Sequence, residues 1–223
     1  ESASLQAKLE NHRIAKIIGI NKASRITCVK PAGTTSLVLG TSSGIHAWHD
    51  NYYIRRVRVG KNEAIYQYLL ANHPELVEDE YFNPTEQAVI SIPQKSPNDA
   101  ITRHESVFDL LERVKQFSIR WVNNGHVDGM NTHNVSATIS IKDDEWDDVA
   151  EWMWFNRHYY NGLAVLPYDG GTYKQAPFET ITKEQYEEMY NLLEDIDLTK
   201  VIESEDNTDL SGELACAGGL CEI

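Results

Sequence analysis

Two spacings of apolar residues alternate along the first 197 positions of the chain. In some segments an apolar residue returns every three to four positions, which is typical of amphipathic helices. This spacing predicts helices at residues 5–18, 62–73, 105–125, 143–160 and 182–196. Shorter runs that are rich in β-branched residues, or in which every second residue is apolar, predict strands. These runs lie at residues 25–30, 52–59, 88–93, 134–141 and 162–167.

The order of these elements, strand then helix then strand, predicts an α/β fold. Consecutive strands that are joined through a helix run parallel, so a mostly parallel sheet is expected. The pattern does not decide between part of a closed α/β barrel and an open sheet. From residue 198 onward the sequence is polar and acidic without a period. It therefore predicts a folded region at 1–197 and a mobile tail at 198–223.

Composition narrows the classes of function. The 223 residues carry a formal net charge of −14, which disfavours non-specific nucleic-acid binding because a phosphate backbone attracts Lys and Arg. No apolar run reaches the length of a membrane span, and no signal peptide opens the chain. Three cysteines are too few for a disulfide scaffold, so a cytoplasmic protein is expected. The first residue is Glu1 rather than Met, as in a piece of a longer protein.

A loop whose composition suits anion binding follows the first predicted strand and opens a short helix. Its residues are Pro31, Ala32, Gly33, Thr34, Thr35 and Ser36. Glycine permits unusual backbone angles, the hydroxyls can donate hydrogen bonds, and the start of a helix offers free N–H groups. These donors could converge on a phosphate, although a capped helix after a tight turn has the same composition. A second loop rich in Gly, Ser and Thr, at 40–46, predicts close backbone packing near a ligand.

The predicted tail carries two cysteines, Cys216 and Cys221, for which three interpretations exist. A zinc site would need a second pair of cysteines, which the sequence lacks. A structural disulfide would close a very small loop with nothing folded to stabilise. A redox pair fits the pattern better, because the flexible residues between the two sulfurs let them approach and separate, and thiol–disulfide exchange requires contact between sulfurs.

Other polar and sulfur-containing residues receive structural interpretations. Cys28 lies in the apolar run ITCV and is expected to be a buried core residue. Three histidines are expected to line a pocket or to lie in loops rather than to bind a metal: His46, His49 and His133. Three arginines of the alternating strand are expected on its solvated face: Arg55, Arg56 and Arg58.

Several motifs, taken in their order along the chain, resemble one family of enzymes. The sequence resembles the C-terminal third of a ribonucleotide reductase catalytic chain, and the adenosylcobalamin-dependent (class II) branch is the most similar. The motifs that carry this resemblance are KPAGTTSLVLGTSSGIH at 30–46, YYIRRVRV at 52–59, NTHNVSATISI at 131–141, GLAVLPYDGGTYKQAPFE at 162–179 and CAGGLC at 216–221.

The resemblance implies a fold, a cofactor and roles for named residues. The fold would be the later part of a ten-stranded α/β barrel with a flexible C-terminal tail, and the complete enzyme would bind adenosylcobalamin. Pro31–Ser36 would hold the phosphates of the ribonucleotide substrate. Cys216 and Cys221 would reduce the active-site disulfide that forms at each turnover, and thioredoxin or a similar dithiol protein would then reduce them. A role near the substrate or the cobalamin is expected for Tyr168, Asp169 and Thr172.

The sequence also departs from the family pattern. The family's radical-forming cysteine, with its neighbouring Glu and Asn, and its two disulfide-forming cysteines have no counterpart here. An upstream part of the enzyme, on the same or a separate chain, is therefore expected as a partner. The strand that carries a tyrosine pair in reductases with a separate radical subunit has Ala164 and Val165 at those positions, which favours the cobalamin branch. The alternative function is a non-catalytic module that binds phosphate or nucleotide, with regulatory tail cysteines.

Overall fold

The computed structural model describes residues 1–168, 173–193 and 195–203. These residues form two units, each with its own packed interior. The first unit consists of residues 1–47 and 104–168, and the second consists of residues 48–103 together with the described residues beyond 168. None of the helices in the described residues is both long and apolar enough to cross a membrane.

The second unit is built on an antiparallel sheet of four strands. The strands are β1 (Tyr52–Gly60), β2 (Val77–Asp79), β3 (Gln87–Lys95) and β6 (Phe178–Thr180), in the spatial order β2-β3-β1-β6. Strands β1 and β3 pair along their whole length, from Tyr52 opposite Lys95 to Gly60 opposite Gln87. Helices α3 (Ala64–Asn72) and α6 (Lys183–Leu192) complete this unit. Leu69, Leu76 and Ile90 form its buried apolar cluster.

The antiparallel pairing differs from the mostly parallel sheet that the element order predicted. The chain leaves helix α3, forms the short strand β2 and then turns back directly into β3. The buried carboxylate of Glu80 stabilises this turn, because it accepts hydrogen bonds from the backbone N–H groups of Phe82 at 2.6 Å and Asn83 at 2.7 Å. The strands at 52–59 and 88–93 are thus confirmed, but the prediction of their relative direction was wrong.

The arginines of β1 also differ from the expected solvated face. Arg55 is buried, and its guanidinium lies 4.4 Å from the ring centroid of Phe178. Arg56 pairs with Glu179 at 2.6 Å. These arginines are covered because neighbouring segments supply an aromatic ring and carboxylates, which satisfy a buried cation.

The first unit contains the one parallel strand pair among the described residues. Strand β4 (Thr138–Ile141) and strand β5 (Ala164–Pro167) run parallel and are joined through helix α5 (Trp146–Phe155), as the strand–helix–strand pattern predicted. Helix α4 (Val107–Phe117) packs against β4 and continues as a π-helical segment at Ser118–Asn123. The core between these elements is apolar, and its fully buried members include Leu111, Val114, Ile139, Ile141 and Val149.

The segment predicted as the first strand, 25–30, forms only isolated bridges, in which Arg25 pairs with His126 and Val29 pairs with Val135. Thr27 and Val29 point inward and are buried, so the residue between them points outward. Cys28 is therefore exposed, and the prediction that it is a core residue was wrong.

Candidate functional site: the loops at 30–36 and 40–46

The anion-binding loop predicted at 31–36 leads into helix α2 (Thr34–Leu39), as expected. Pro31, Ala32 and Gly33 form an irregular segment before the helix. The first N–H groups of a helix have no partner within the helix and point out of its start. The side chain of Thr35 is exposed, whereas Ser36 is buried. The loop-to-helix arrangement is confirmed, and its phosphate ligand stays a prediction.

The hydroxyl of Ser36 forms its hydrogen bonds within the loop itself. Its Oγ lies 2.9 Å from the carbonyl oxygen of Ala32 and 2.9 Å from that of Gly33, so its single proton is shared between two acceptors. Such bonds from Ser to carbonyls three and four residues earlier compete with the regular helix ladder and shape its first turn. The side chain of Ser36 therefore stabilises the backbone of the loop.

The second loop packs directly on the first. The hydroxyl of Ser43 donates to the carbonyl oxygen of Ala32 at 2.9 Å. Gly44 has φ +60°, and a Cβ atom there would lie 2.9 Å from the carbonyl oxygen of Lys30 and 3.3 Å from Cα of Pro31. Only glycine combines this backbone angle with such a close approach. The close packing predicted for residues 40–46 is thus confirmed, and the segment that they contact is residues 30–32.

His46 fixes the end of the second loop to the sheet. Its Nδ1 lies 2.8 Å from the carbonyl oxygen of Ser43, and its Nε2 accepts the backbone N–H of Thr138 at 3.0 Å. Because a backbone N–H can only donate, Nε2 carries no proton and Nδ1–H donates to Ser43. Burial lowers the pKa of His46 below its ordinary value, and the hydrogen bond to Ser43 opposes this effect. His46 is therefore a neutral structural residue of the loop.

Helix α4 supplies a third anchor. Arg113 donates to the carbonyl oxygen of Ile45 at 3.0 Å and forms a two-pronged ion pair with Glu105, at 3.1 and 2.5 Å. A bidentate guanidinium–carboxylate pair holds the guanidinium in one orientation. The carbonyl of Ile45 is thereby held in place next to His46. Contacts from β4 and from α4 therefore hold the backbone of the two loops in one conformation.

Sequence reasoning did not identify Arg113 or Thr138 as parts of this site. Arg113 lies 68 residues from Ile45, and Thr138 lies 92 residues from His46. No local pattern signals a contact over such a separation. The Gly/Ser/Thr composition of residues 40–46 was the one sequence feature that pointed to this site. It indicated close packing but not which residues contact the loop.

The remaining predicted site residues make other contacts or lie outside the described residues. Cys216 and Cys221, together with Asp169 and Thr172, lie outside them. Nδ1 of His133 lies 3.2 Å from the carbonyl oxygen of Thr27. In the second unit, the ring of His49 stacks on Phe178 at 5.3 Å. Within residues 1–168, 173–193 and 195–203, no group of three or more His, Cys, Asp or Glu is arranged to hold a metal ion.

Comparison with known proteins gives consistent similarities. No protein-family model matches the chain. The adenosylcobalamin-dependent ribonucleoside-triphosphate reductase of Lactobacillus acidophilus is 30% identical over 212 residues, which are 92% of this chain and 27% of that protein. The proteins of the same name from Euglena gracilis and Lactobacillus leichmannii are each 28% identical, over 94% of this chain and 28% of their own length.

A solved structure shows a similar fold. The crystal structure of a B12-dependent (class II) ribonucleotide reductase matches with a TM-score of 0.68 and 24% identity, over 86% of this chain and 27% of that chain. The mixed α/β fold is therefore that of part of a class II reductase chain. The similarity first recognised in the motifs is confirmed. The chain spans slightly more than a quarter of the length of the curated relatives it matches, 27–28% in the proteins named above.

Proposed function

We propose that this chain is part of an adenosylcobalamin-dependent ribonucleotide reductase, which replaces the 2′-hydroxyl of a ribonucleotide with hydrogen. The observation that carries the proposal is the similarity of more than nine-tenths of the chain to reductases of that name. The relatives' names specify ribonucleoside triphosphates, which we take as the substrate class. Because the chain spans 27% of the Lactobacillus acidophilus protein, the reaction needs the remaining part of the enzyme, on the same or a separate chain. A cytoplasmic location fits a substrate and a dithiol reductant of that compartment.

Within this enzyme, residues 31–36 would bind the substrate phosphates. Support comes from the family resemblance of the loop and from its rigid backbone, which Ser36, Ser43 and Gly44 hold in one conformation. Binding to a preformed loop does not require the loop to be ordered at the same time, which favours affinity. The exposed Lys30 directly before the loop adds a positive charge that an anionic substrate would meet.

The tail would supply the electrons. The two S–H bonds of Cys216 and Cys221 break and one S–S bond forms between them, which releases two electrons and two protons. These electrons and protons reduce the active-site disulfide, which forms during turnover, to two thiols. A thioredoxin-like dithiol protein then reduces the tail disulfide by the same exchange. Support comes from the Cys-x4-Cys spacing next to the chain terminus and from its resemblance to the family's terminal pair.

The cofactor belongs to the complete enzyme in this proposal. Adenosylcobalamin, when bound, supplies the radical that starts the reaction. A role near the substrate or the cobalamin stays a prediction for Tyr168, Asp169 and Thr172. The two steps assigned to this chain are phosphate binding and electron delivery by the tail dithiol, and neither step involves the cofactor.

The test is a turnover measurement on the complete enzyme that contains this chain. It is incubated with a ribonucleoside triphosphate, adenosylcobalamin and dithiothreitol, and the products are separated by chromatography. The proposal predicts a 2′-deoxyribonucleotide whose formation requires both the cofactor and the reductant. A parallel incubation with the diphosphate assigns the substrate class. Nucleotide binding without any deoxy product would overturn the proposal and favour the non-catalytic module.

A further inference from the structure

Helix α1 (Ser2–Ile18) attaches to the first unit through polar side chains. Ser4 is completely buried, and its Oγ accepts a hydrogen bond from Nδ2 of Asn124 at 2.5 Å. Lys8 donates from Nζ to the carbonyl oxygen of Asn124 at 3.1 Å. Ala15 is the other buried residue of the helix. The face that contacts the rest of the unit is therefore formed by small and polar residues.

The large apolar residues of α1 point away from this face. They remain strongly exposed in the described structure, with exposed fractions of 51% for Leu5, 55% for Leu9, 39% for Ile14, 65% for Ile17 and 59% for Ile18. Each large aliphatic side chain left in water forgoes about 1.5–3 kcal/mol of burial energy. Exposed apolar residues that recur along one helix mark a surface that contacts another part of a larger protein.

Four of these five apolar residues form two separate flanks, and Ile17 lies on the outer edge of the helix. At about 100° per residue, Leu5 and Leu9 lie one turn apart on one side of the helix, and Ile14 and Ile18 lie one turn apart on roughly the opposite side. The polar attachment face, with Ser4, lies between the two flanks. On the outer edge Glu10 and Arg13 form an exposed ion pair at 2.6 Å, and Ile17 lies between their positions in the helical projection.

We propose that both flanks of α1 contact the remaining part of the reductase, the polypeptide that the relatives carry beyond the segment matched here. This inference rests on the proposed function. The chain spans 27% of the length of the Lactobacillus acidophilus relative, so a far larger polypeptide is available to cover the helix. In a dimer with two-fold symmetry, both copies of this chain would use the same surface of α1. Such a contact covers one flank of the helix and leaves the other exposed. A groove in a larger partner covers both flanks at once.

The experiment measures binding between this chain and the remaining reductase polypeptide encoded with it, expressed separately. The variant Leu5→Glu/Leu9→Glu changes one flank and Ile14→Glu/Ile18→Glu changes the other. The control Gln6→Glu places one such charge on an exposed polar position of the outer edge of α1. Circular dichroism and thermal melting check that each variant is folded, and dissociation constants are measured by calorimetry.

We expect each flank variant to weaken binding at least about a hundredfold and the control to change it less than about threefold. Equal binding by all variants would overturn the inference. So would a concentration-dependent dimer of the chain alone that the Leu5→Glu/Leu9→Glu variant makes monomeric. The turnover assay separates this result from the proposed function: a complex that depends on α1 but forms no deoxyribonucleotide would refute the function and retain the docking surface.

Discussion

The backbone N–H of Thr138 donates a 3.0 Å hydrogen bond to Nε2 of His46. One imidazole thereby joins the first residue of strand β4 to the loop that packs on the candidate phosphate loop. Its other nitrogen donates to the carbonyl of Ser43, so both ring nitrogens are satisfied only in the neutral tautomer. The conformation of the loops therefore depends on the protonation state of a buried histidine.

The first prediction concerns pH. Because the pKa of His46 is lowered in the folded state, the unfolded chain binds more protons when the pH falls below the ordinary histidine value of about 6.5. The contribution of His46 to the free energy of unfolding is therefore complete above that value and is lost as the pH falls through it. Denaturant unfolding between pH 8 and pH 5 should show this loss. His46→Asn should lower stability by about 1–3 kcal/mol at pH 8 and flatten the dependence; an unchanged slope would contradict the role of His46.

The second prediction tests the contact between the two loops. Gly44→Ala introduces a Cβ that would lie 2.9 Å from the carbonyl oxygen of Lys30, in a backbone conformation with φ +60°. Gly40→Ala is a matched control, because Gly40 has the same φ but a Cβ added there would have no atom within 4 Å. The control should lose about 1–2 kcal/mol of stability through backbone strain alone.

Gly44→Ala should lose more stability than this control, and it should also raise the KM for the nucleotide, because it displaces residues 30–31. Thermal melting and steady-state kinetics of the complete enzyme provide the two measurements. Equal effects of both variants on KM would show that the packing of the two loops does not position the substrate.

The third prediction concerns charge at the phosphate loop. Thr35→Glu places a carboxylate on an exposed position of the predicted anion site. Two like charges about 4 Å apart repel by roughly 4 kcal/mol near a protein surface, so the KM for a nucleoside triphosphate should rise at least tenfold. Thr41→Glu is the control, since Thr41 is also exposed and lies in the neighbouring loop. If the two variants behave alike, residues 31–36 do not hold the phosphates.

The elements of the fold were largely predictable from local spacing, but their partners were not. The apolar repeat at 5–18 predicted helix α1, yet Leu5 and Leu9 are exposed, because periodicity reports which residues share a face and not what covers that face. Strand β2 spans three residues, too few for a pattern, and without it β1 and β3 were expected to run parallel.

In the candidate site, too, the local features were predictable from the sequence and the contacts between residues were not. The composition of 31–36 and 40–46 indicated tight loops, and the structure confirms that they pack on each other through Ser43 and Gly44. The hydroxyl of Ser36 bonds to the loop's own carbonyls, which composition cannot distinguish from an outward donor. Cys28 is exposed because two buried neighbours in an extended segment turn it outward, an orientation that hydrophobicity alone does not reveal.

Two roles proposed for this chain carry the proposed function: residues 31–36 would bind substrate phosphate, and Cys216 and Cys221 would deliver electrons. The most direct measurement is turnover of the complete enzyme that carries Cys216→Ser and Cys221→Ser, with thioredoxin and its reductase or with dithiothreitol as the reductant. Under this proposal the small dithiol would reach the active-site disulfide directly, whereas a protein reductant would need the tail. We predict that turnover with thioredoxin collapses and that turnover with dithiothreitol continues. Equal loss with both reductants, or full activity with thioredoxin, would contradict the proposed role of the tail.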